Sequence, residues 1–185
     1  MRIDTLTPPS NGYDVVGKLY RINPADVPLN KGASLSLTFP AGDSLPSRLG
    51  IYMKSGKKMR HVGGRISHAE RTITAHVSGL GSFALVRDVK PPVIMALSPA
   101  DQSRTTNRLP RLRAVFKDGL SGIAGEKYRQ LLLDGEKVIA EYDPEKLTLI
   151  YTPDDSLNRG EHTLELFVGD RAGNTVTRTH TFYID

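Results

Sequence analysis

The sequence predicts an all-β protein made of two β-sandwich modules in tandem, and three observations support this class. Apolar residues alternate with polar ones in short runs, which is the period of a strand with one buried face. The chain has 17 glycines and 12 prolines, enough turn-forming residues to separate many short strands. Its 185 residues are 38% apolar and 24% charged, which is sufficient for packed cores in one large domain or two small ones.

The boundary between the two modules is predicted at Lys90-Pro91-Pro92, because a Pro-Pro pair favours an extended connector. The charge changes sign at the same place. Residues 1–90 hold 13 Lys/Arg and 6 Asp/Glu, whereas residues 91–185 hold 12 Lys/Arg and 14 Asp/Glu. We therefore expect a basic first module, with a net charge of +7, and a weakly acidic second module, with a net charge of −2.

Strands of the first module are predicted from four alternating runs. Glycine-containing segments such as Ser55-Gly56-Lys57 and Gly63-Gly64 separate them and supply hairpin or loop material. The four runs are Leu35–Phe39, Leu49–Met53, Ile73–Val77 and Phe83–Leu85.

The second module is predicted to hold seven short strands. Asp134-Gly135 joins two of them as a tight hairpin, since both turn positions favour positive φ. A helix over residues 121–132 is the competing interpretation, which Gly122, Gly125 and the following turn oppose. Seven strands in about 95 residues are typical of an immunoglobulin-like sandwich. The strands are Val93–Leu97, Leu112–Lys117, Arg129–Leu133, Glu136–Tyr142, Leu147–Tyr151, His162–Val168 and Thr175–Ile184.

Six short phrases of the second module appear in a characteristic order. Together they resemble bacterial immunoglobulin-like, or fibronectin type III-like, modules of exported and surface proteins, over residues 91–185. The phrases are Leu97-Ser98-Pro99-Ala100-Asp101, Asp118-Gly119-Leu120-Ser121-Gly122-Ile123, Leu133-Asp134-Gly135, Tyr151-Thr152-Pro153, Gly160-Glu161-His162-Thr163-Leu164 and Asp170-Arg171-Ala172-Gly173-Asn174.

The first module resembles the β-sandwich module that often precedes such a domain in exported bacterial surface proteins. Residues 31–39 and 80–88 carry this resemblance. It implies an accessory segment of a larger exported protein, in the periplasm or at the cell surface, and therefore a fragment that lacks its signal peptide. Some relatives of this kind carry a zinc peptidase domain, but the sequence contains neither His-x-His nor His-Glu-x-x-His.

Several other classes of protein are excluded or disfavoured by composition. With no cysteine, the chain has no disulfide, thiolate zinc site or cysteine nucleophile. No apolar run approaches the ~18 residues of a membrane span. A serine hydrolase is not indicated, because Gly-x-Ser-x-Gly does not occur. The histidines His61, His68 and His76 are interpreted as surface polar residues rather than metal ligands. We expect a non-catalytic chain without an obligatory cofactor.

A calcium site is the one metal hypothesis. Asp118 and Asp170 each follow a strand, and the two strands belong to opposite sheets of the expected sandwich, so their ends can meet at one pole. With Asn174 they would supply oxygen atoms, which calcium prefers as ligands. The alternative is that Asp170 and Asn174 bond their own turn, and it is the favoured interpretation.

A basic patch is predicted on the first module from six cations within 18 residues: Lys54, Lys57, Lys58, Arg60, Arg65 and Arg71. On hairpins, alternate members project from one face and could attract an anionic polymer of the cell envelope. The alternative is a solvated face that discourages edge-to-edge pairing of strands. Nucleic acid is not an expected partner, because base stacking needs exposed aromatic residues and only Tyr52 lies nearby.

The favoured function is an accessory or spacer segment, or an interaction module, of a larger exported envelope protein. Its partners would be protein domains of the parent chain or envelope polymers. The alternative is a dedicated binding module for an anionic polymer or a glycan. A glycan would need exposed aromatic rings, for which Tyr13, Tyr20, Tyr128 and Tyr142 are the candidates. Neither the oligomeric state nor the ligand follows from the sequence.

Overall fold

The computed structural model describes residues 1–8 and 12–185 and confirms the all-β class. The described chain forms seventeen strands and two short 3₁₀ helices, Pro46–Arg48 and Glu126–Tyr128. It divides into two compact units, Met1–Lys90 and Pro91–Asp185. None of the described helices is long and apolar enough to cross a membrane.

The first unit contains two antiparallel sheets. One has the order β1-β2-β8-β4-β5, and the other has the order β3-β7-β6. Its strands are β1 Arg2–Leu6, β2 Asp14–Asn23, β3 Pro28–Thr38, β4 Leu49–Ser55, β5 Lys58–Gly63, β6 Arg65–Ser67, β7 Thr72–Gly79 and β8 Ser82–Arg87.

The second unit contains a five-stranded sheet, β10-β17-β16-β12-β13, and a four-stranded sheet, β14-β15-β11-β9. All pairs are antiparallel except β10 with β17, which are parallel. The strands are β9 Val93–Ser98, β10 Ser103–Thr105, β11 Leu112–Lys117, β12 Arg129–Leu133, β13 Glu136–Val138, β14 Glu141–Asp143, β15 Thr148–Tyr151, β16 Gly160–Gly169 and β17 Thr175–Ile184.

Each unit has its own apolar core. In the first, Ile51, Ile73 and Phe83 are among the buried side chains that strands of both sheets contribute. In the second, Phe116 and Phe182 join leucines of β11, β12 and β16. Burial of this apolar area is the main favourable term in folding, so each unit has the means to hold its own sheets together.

The structure corrects the predicted strand Glu136–Tyr142. The chain leaves β13 at Val138, crosses between the sheets and enters β14 at Glu141, so two short strands lie at the edges of different sheets. The prediction was wrong because alternation reports burial and not which sheet a residue joins. The competing helix over residues 121–132 is also absent, and only Glu126–Tyr128 forms one helical turn there.

Candidate functional site

The two aspartates of the calcium hypothesis do meet at one pole of the second unit. Asp118 follows β11 and Asp170 follows β16, and carboxylate oxygens of the two residues lie within 4.8 Å of each other. Backbone pairing brings the two turns together, because Ala124 N donates to Gly169 O at 2.9 Å and Arg171 N donates to Gly122 O at 2.9 Å.

Both aspartates also bond their own turns. Asp118 Oδ2 accepts hydrogen bonds from the backbone N–H of Leu120, at 3.0 Å, and of Gly122, at 2.6 Å. Asp170 accepts from the backbone N–H of Asn174, at 2.8 Å, and from its side-chain amide, at 2.7 Å. These bonds hold the turns whether or not a cation binds. Because the Asn174 amide nitrogen faces Asp170, calcium coordination by Asn174 would require its amide group to turn over.

The six cations of the basic patch are all exposed, but they belong to different elements. Lys54, Lys57, Lys58 and Arg60 lie on the β4–β5 hairpin of the five-stranded sheet. Arg65 lies in β6 and Arg71 in the turn before β7, both in the three-stranded sheet. The hairpin therefore supplies the compact part of the patch.

Aromatic side chains offer little open platform. Tyr52 is fully buried, so it cannot stack on a base. Tyr142 stacks on Phe116 with 6.3 Å between ring centroids, and the Arg129 guanidinium lies 3.8 Å from its ring. Tyr13, Tyr20 and Tyr128 are half-buried.

One polar cluster, around the buried side chain of His162, was not predicted from the sequence. His162 Nδ1 lies 2.7 Å from Asp134 Oδ2, and His162 Nε2 lies 2.9 Å from the backbone oxygen of Asn158. The ring also stacks on Phe182 of the core. Asp134 uses its second oxygen to accept from the N–H of Thr163 at 2.7 Å. The cluster joins the β12–β13 turn to β16 and to the segment before it.

The charge of His162 follows from these partners. Burial of the ring lowers the pKa of His162, but the bonds to the Asn158 carbonyl and the Asp134 carboxylate raise it by more, so the pKa lies above 6.5. Both partners accept hydrogen bonds, and only the doubly protonated ring can donate to both. The Asp134-Gly135 turn was predicted from the sequence, but its contact with a residue 28 positions later was not.

Comparisons with known proteins give distant similarities in architecture. No protein-family model matches the chain, and no curated protein matches it. Among solved structures, CopC from Methylosinus trichosporium OB3b aligns with a TM-score of 0.42 and 17% identity, over 51% of this chain and 93% of that one.

Two larger structures also align. Dimeric latent PorU from Porphyromonas gingivalis matches with a TM-score of 0.43 and 12% identity, over 100% of this chain and 24% of that chain. Extracellular domains 3–5 of Drosophila OTK match with a TM-score of 0.26 and 13% identity, over 96% and 67%. All three TM-scores lie below 0.5, and the alignments assign no activity. The two units are all-β and sandwich-like.

Proposed function

We propose that the chain is a non-catalytic accessory or spacer segment, or an interaction module, of a larger exported bacterial envelope protein, and that its second unit is an immunoglobulin-like module. The main support for a non-catalytic role is the set of partners that the polar side chains of the second unit bond. The carboxylates of Asp118, Asp134 and Asp170 and the ring of His162 all bond groups of the same unit. Their role is to hold loops between strands.

The absence of catalysis is part of this proposal. The His162–Asp134 pair is the arrangement that would orient a general base, but the second ring nitrogen already faces the Asn158 carbonyl. No ring nitrogen is then left to accept a proton from a nucleophile. This geometry supports a structural role for the pair.

The immunoglobulin-like assignment rests on the order of the strands. The amino-terminal part of the second unit is shared between the two sheets, because β9 pairs with β11 in one sheet and β10 pairs with β17 in the other. Strands β12, β16 and β17 form the middle of the larger sheet. This arrangement agrees with the resemblance of the sequence phrases over residues 91–185.

The alternative function, binding of an anionic envelope polymer, is favoured by the β4–β5 hairpin. Its cations are exposed, and Lys54 and Lys58 make no ion pair with any carboxylate of the described residues. Unneutralised cations at one hairpin end can attract phosphate or carboxylate groups at long range.

A retention experiment separates the two functions. The whole chain is applied to purified bacterial envelope fractions at low and at high salt, because screening shortens from ~10 Å at 0.1 M to ~3 Å at 1 M. A spacer is not retained at either salt concentration. A polymer-binding module is retained at low salt, and neutral replacements of Lys57, Lys58 and Arg60 abolish this retention.

The matched control neutralises three exposed cations of the second unit, Arg111, Arg113 and Lys117. Loss of retention in both variants would indicate a dependence on net charge and would contradict a site on the hairpin. Retention at both salt concentrations would overturn the spacer proposal, since it would show a specific partner in the envelope.

Calcium binding at Asp118 and Asp170 is a separate proposal with its own test. A cation that binds only the folded unit raises the melting temperature by mass action. If calcium and a chelator give the same melting temperature, the proposal fails. If calcium raises it, an Asp118→Ala variant should lose the increase.

A further inference from the structure

The crossing between β13 and β14 opens a groove on one side of the second unit. β13 is the edge of the five-stranded sheet, and β14 is the edge of the four-stranded sheet. Only two residues, Ile139 and Ala140, lie between the last residue of β13 and the first residue of β14. Both sheet edges are therefore reachable from the same side of the sandwich.

The groove has a volume of 690 Å³ and is lined by both apolar and polar side chains. Leu133, Val138, Ile150 and Tyr151 line it. The volume is in the range of ligand-binding clefts, about 300–1,000 Å³. This volume is large enough to receive side chains of an extended polypeptide.

Ile139 stands at the edge of this groove with 95% of its surface exposed. Every other isoleucine of the second unit is at least partly buried. A fully exposed isoleucine contributes nothing to the core, and covering it would stabilise a complex by removing apolar surface from water. A second cleft of 340 Å³ lies beside it, lined by Leu131, Ala140 and Leu149 among others.

The charge around the larger groove indicates the occupant. Glu136, Glu141 and Asp154 line it, and none of the three forms an ion pair with a cation of the described residues. Lys137 is the only cation among the described lining residues. A lining that combines apolar side chains with three carboxylates complements a segment that carries both apolar and basic residues.

The backbone of the two edge strands, β13 and β14, can also contribute to binding of such a segment. Each of β13 and β14 pairs with one neighbour only, so each has one side whose N–H and C=O groups are unpaired within its sheet. An extended segment that lies along such an edge gains main-chain hydrogen bonds, and alternate side chains then enter the groove. Both edges are only three residues long, so the apolar and ionic contacts must supply most of the affinity.

We propose that the groove around Ile139 is a docking site for an extended partner segment in which apolar residues alternate with lysine or arginine. The proposal rests on the proposed function only in treating the second unit as a module that contacts other proteins. It involves neither the basic hairpin nor the calcium hypothesis.

The test uses NMR spectra of the whole chain and two short blocked peptides. In one peptide valine alternates with lysine, and in the other valine alternates with glutamate. The lysine peptide should shift the backbone signals of residues 136–143, with an affinity that falls at high salt. Ile139→Ser should weaken binding about tenfold or more, since one buried isoleucine contributes that much. Glu141→Lys should weaken binding of the lysine peptide by more than Ile139→Ser does.

Two matched variants control for general effects. Met95→Ser removes a similarly apolar, exposed side chain from β9, the opposite edge of the four-stranded sheet. Glu145→Lys makes the same charge change at an exposed residue that does not line the groove. Both should bind the lysine peptide as well as the unchanged chain does.

Three results would overturn the proposal. The first is that neither peptide shifts the signals of residues 136–143. The second is equal binding of the two peptides, which would remove the role of the carboxylates. The third is self-association of the chain without peptide that Ile139→Ser abolishes, because a second copy would then be the occupant. None of these results depends on retention by envelope fractions, so the proposed function stands or fails separately.

Discussion

Two central strands, β4 of the first unit and β16 of the second, are buried in different ways. In β16, Leu164 and Leu166 are fully buried, while Glu165 between them is partly exposed. In β4, the neighbours Ile51 and Tyr52 point to opposite faces of the sheet and are both fully buried. Alternating burial therefore marks a strand with one wet face. In β4 the sequence run Leu49–Met53 also alternates, yet the strand is buried on both faces.

The largest expected effect tests this difference directly. In β4, Ile51→Ala and Tyr52→Ala should each destabilise the chain by about 2–5 kcal/mol, because each leaves a cavity in close packing. In β16, Leu166→Ala should cost a similar amount, whereas Glu165→Ala should stay within about 0.5 kcal/mol. Urea unfolding followed by circular dichroism measures the free energies. A small effect of Tyr52→Ala would show that only one face of β4 matters.

Alternation accounts for how well the second unit was predicted. The predicted strands Leu112–Lys117, Arg129–Leu133 and Thr175–Ile184 agree with the structure to the residue. Each has one buried face, and the hairpin at Asp134-Gly135 has positive φ at both residues. Here local sequence and tertiary environment impose the same pattern.

The features that the sequence did not predict depend on contacts between distant parts of the chain. Strands β1 and β10 were not predicted, because most of their side chains are exposed or only partly buried and show no alternation. The contact between Asp134 and His162 joins residues whose proximity only the sheet pairing creates. The proximity of Asp118 and Asp170 could be predicted, because the expected sandwich brings the ends of their strands to one pole. The groove around Ile139 could not be predicted, because it depends on the crossing of the chain between the two sheets.

The second prediction concerns the ion pairs of the first unit. Arg87, at the last residue of β8, bonds Asp14 at 2.8 Å and Asp43 at 2.5 Å, and the Asp43 side chain is only 3% exposed. Arg87→Gln leaves the Asp43 carboxylate buried without its cation, so we expect a loss of about 1–3 kcal/mol. Asp14→Asn, at the more exposed partner, is the matched control and should cost clearly less. Equal losses would contradict the role of burial.

The third prediction uses pH to test the polar cluster of the second unit. The pKa of His162 is higher in the folded chain than the value of 6.5 expected when it is unfolded. The folded chain therefore binds the proton of His162 more tightly than the unfolded chain does. The stabilisation that this protonation gives the folded chain is complete below pH 6.5 and is lost as the pH rises through the folded pKa. The difference in unfolding free energy between the unchanged chain and His162→Asn should be about 1 kcal/mol at low pH and should shrink at high pH.

Two histidines of the first unit provide the control for that experiment. His68→Asn and His76→Asn should leave the pH dependence of stability as it is, since both side chains are exposed. An NMR titration of the His162 ring measures its pKa independently. A folded pKa at or below 6.5 would mean that burial of the ring outweighs its two hydrogen bonds.

The smallest expected effect belongs to an exposed ion pair of the second unit. Arg104 lies 2.8 Å from Asp185 and 4.7 Å from the centroid of the Tyr183 ring, and both charged side chains are about half exposed. Water and salt screen such a pair, so Arg104→Gln should cost at most about 1 kcal/mol, and less at high salt. The contrast with Arg87 is the informative quantity, because both arginines lie within 3 Å of a carboxylate. If urea unfolding gave equal losses for the two variants, distance and not burial would set the strength of these pairs.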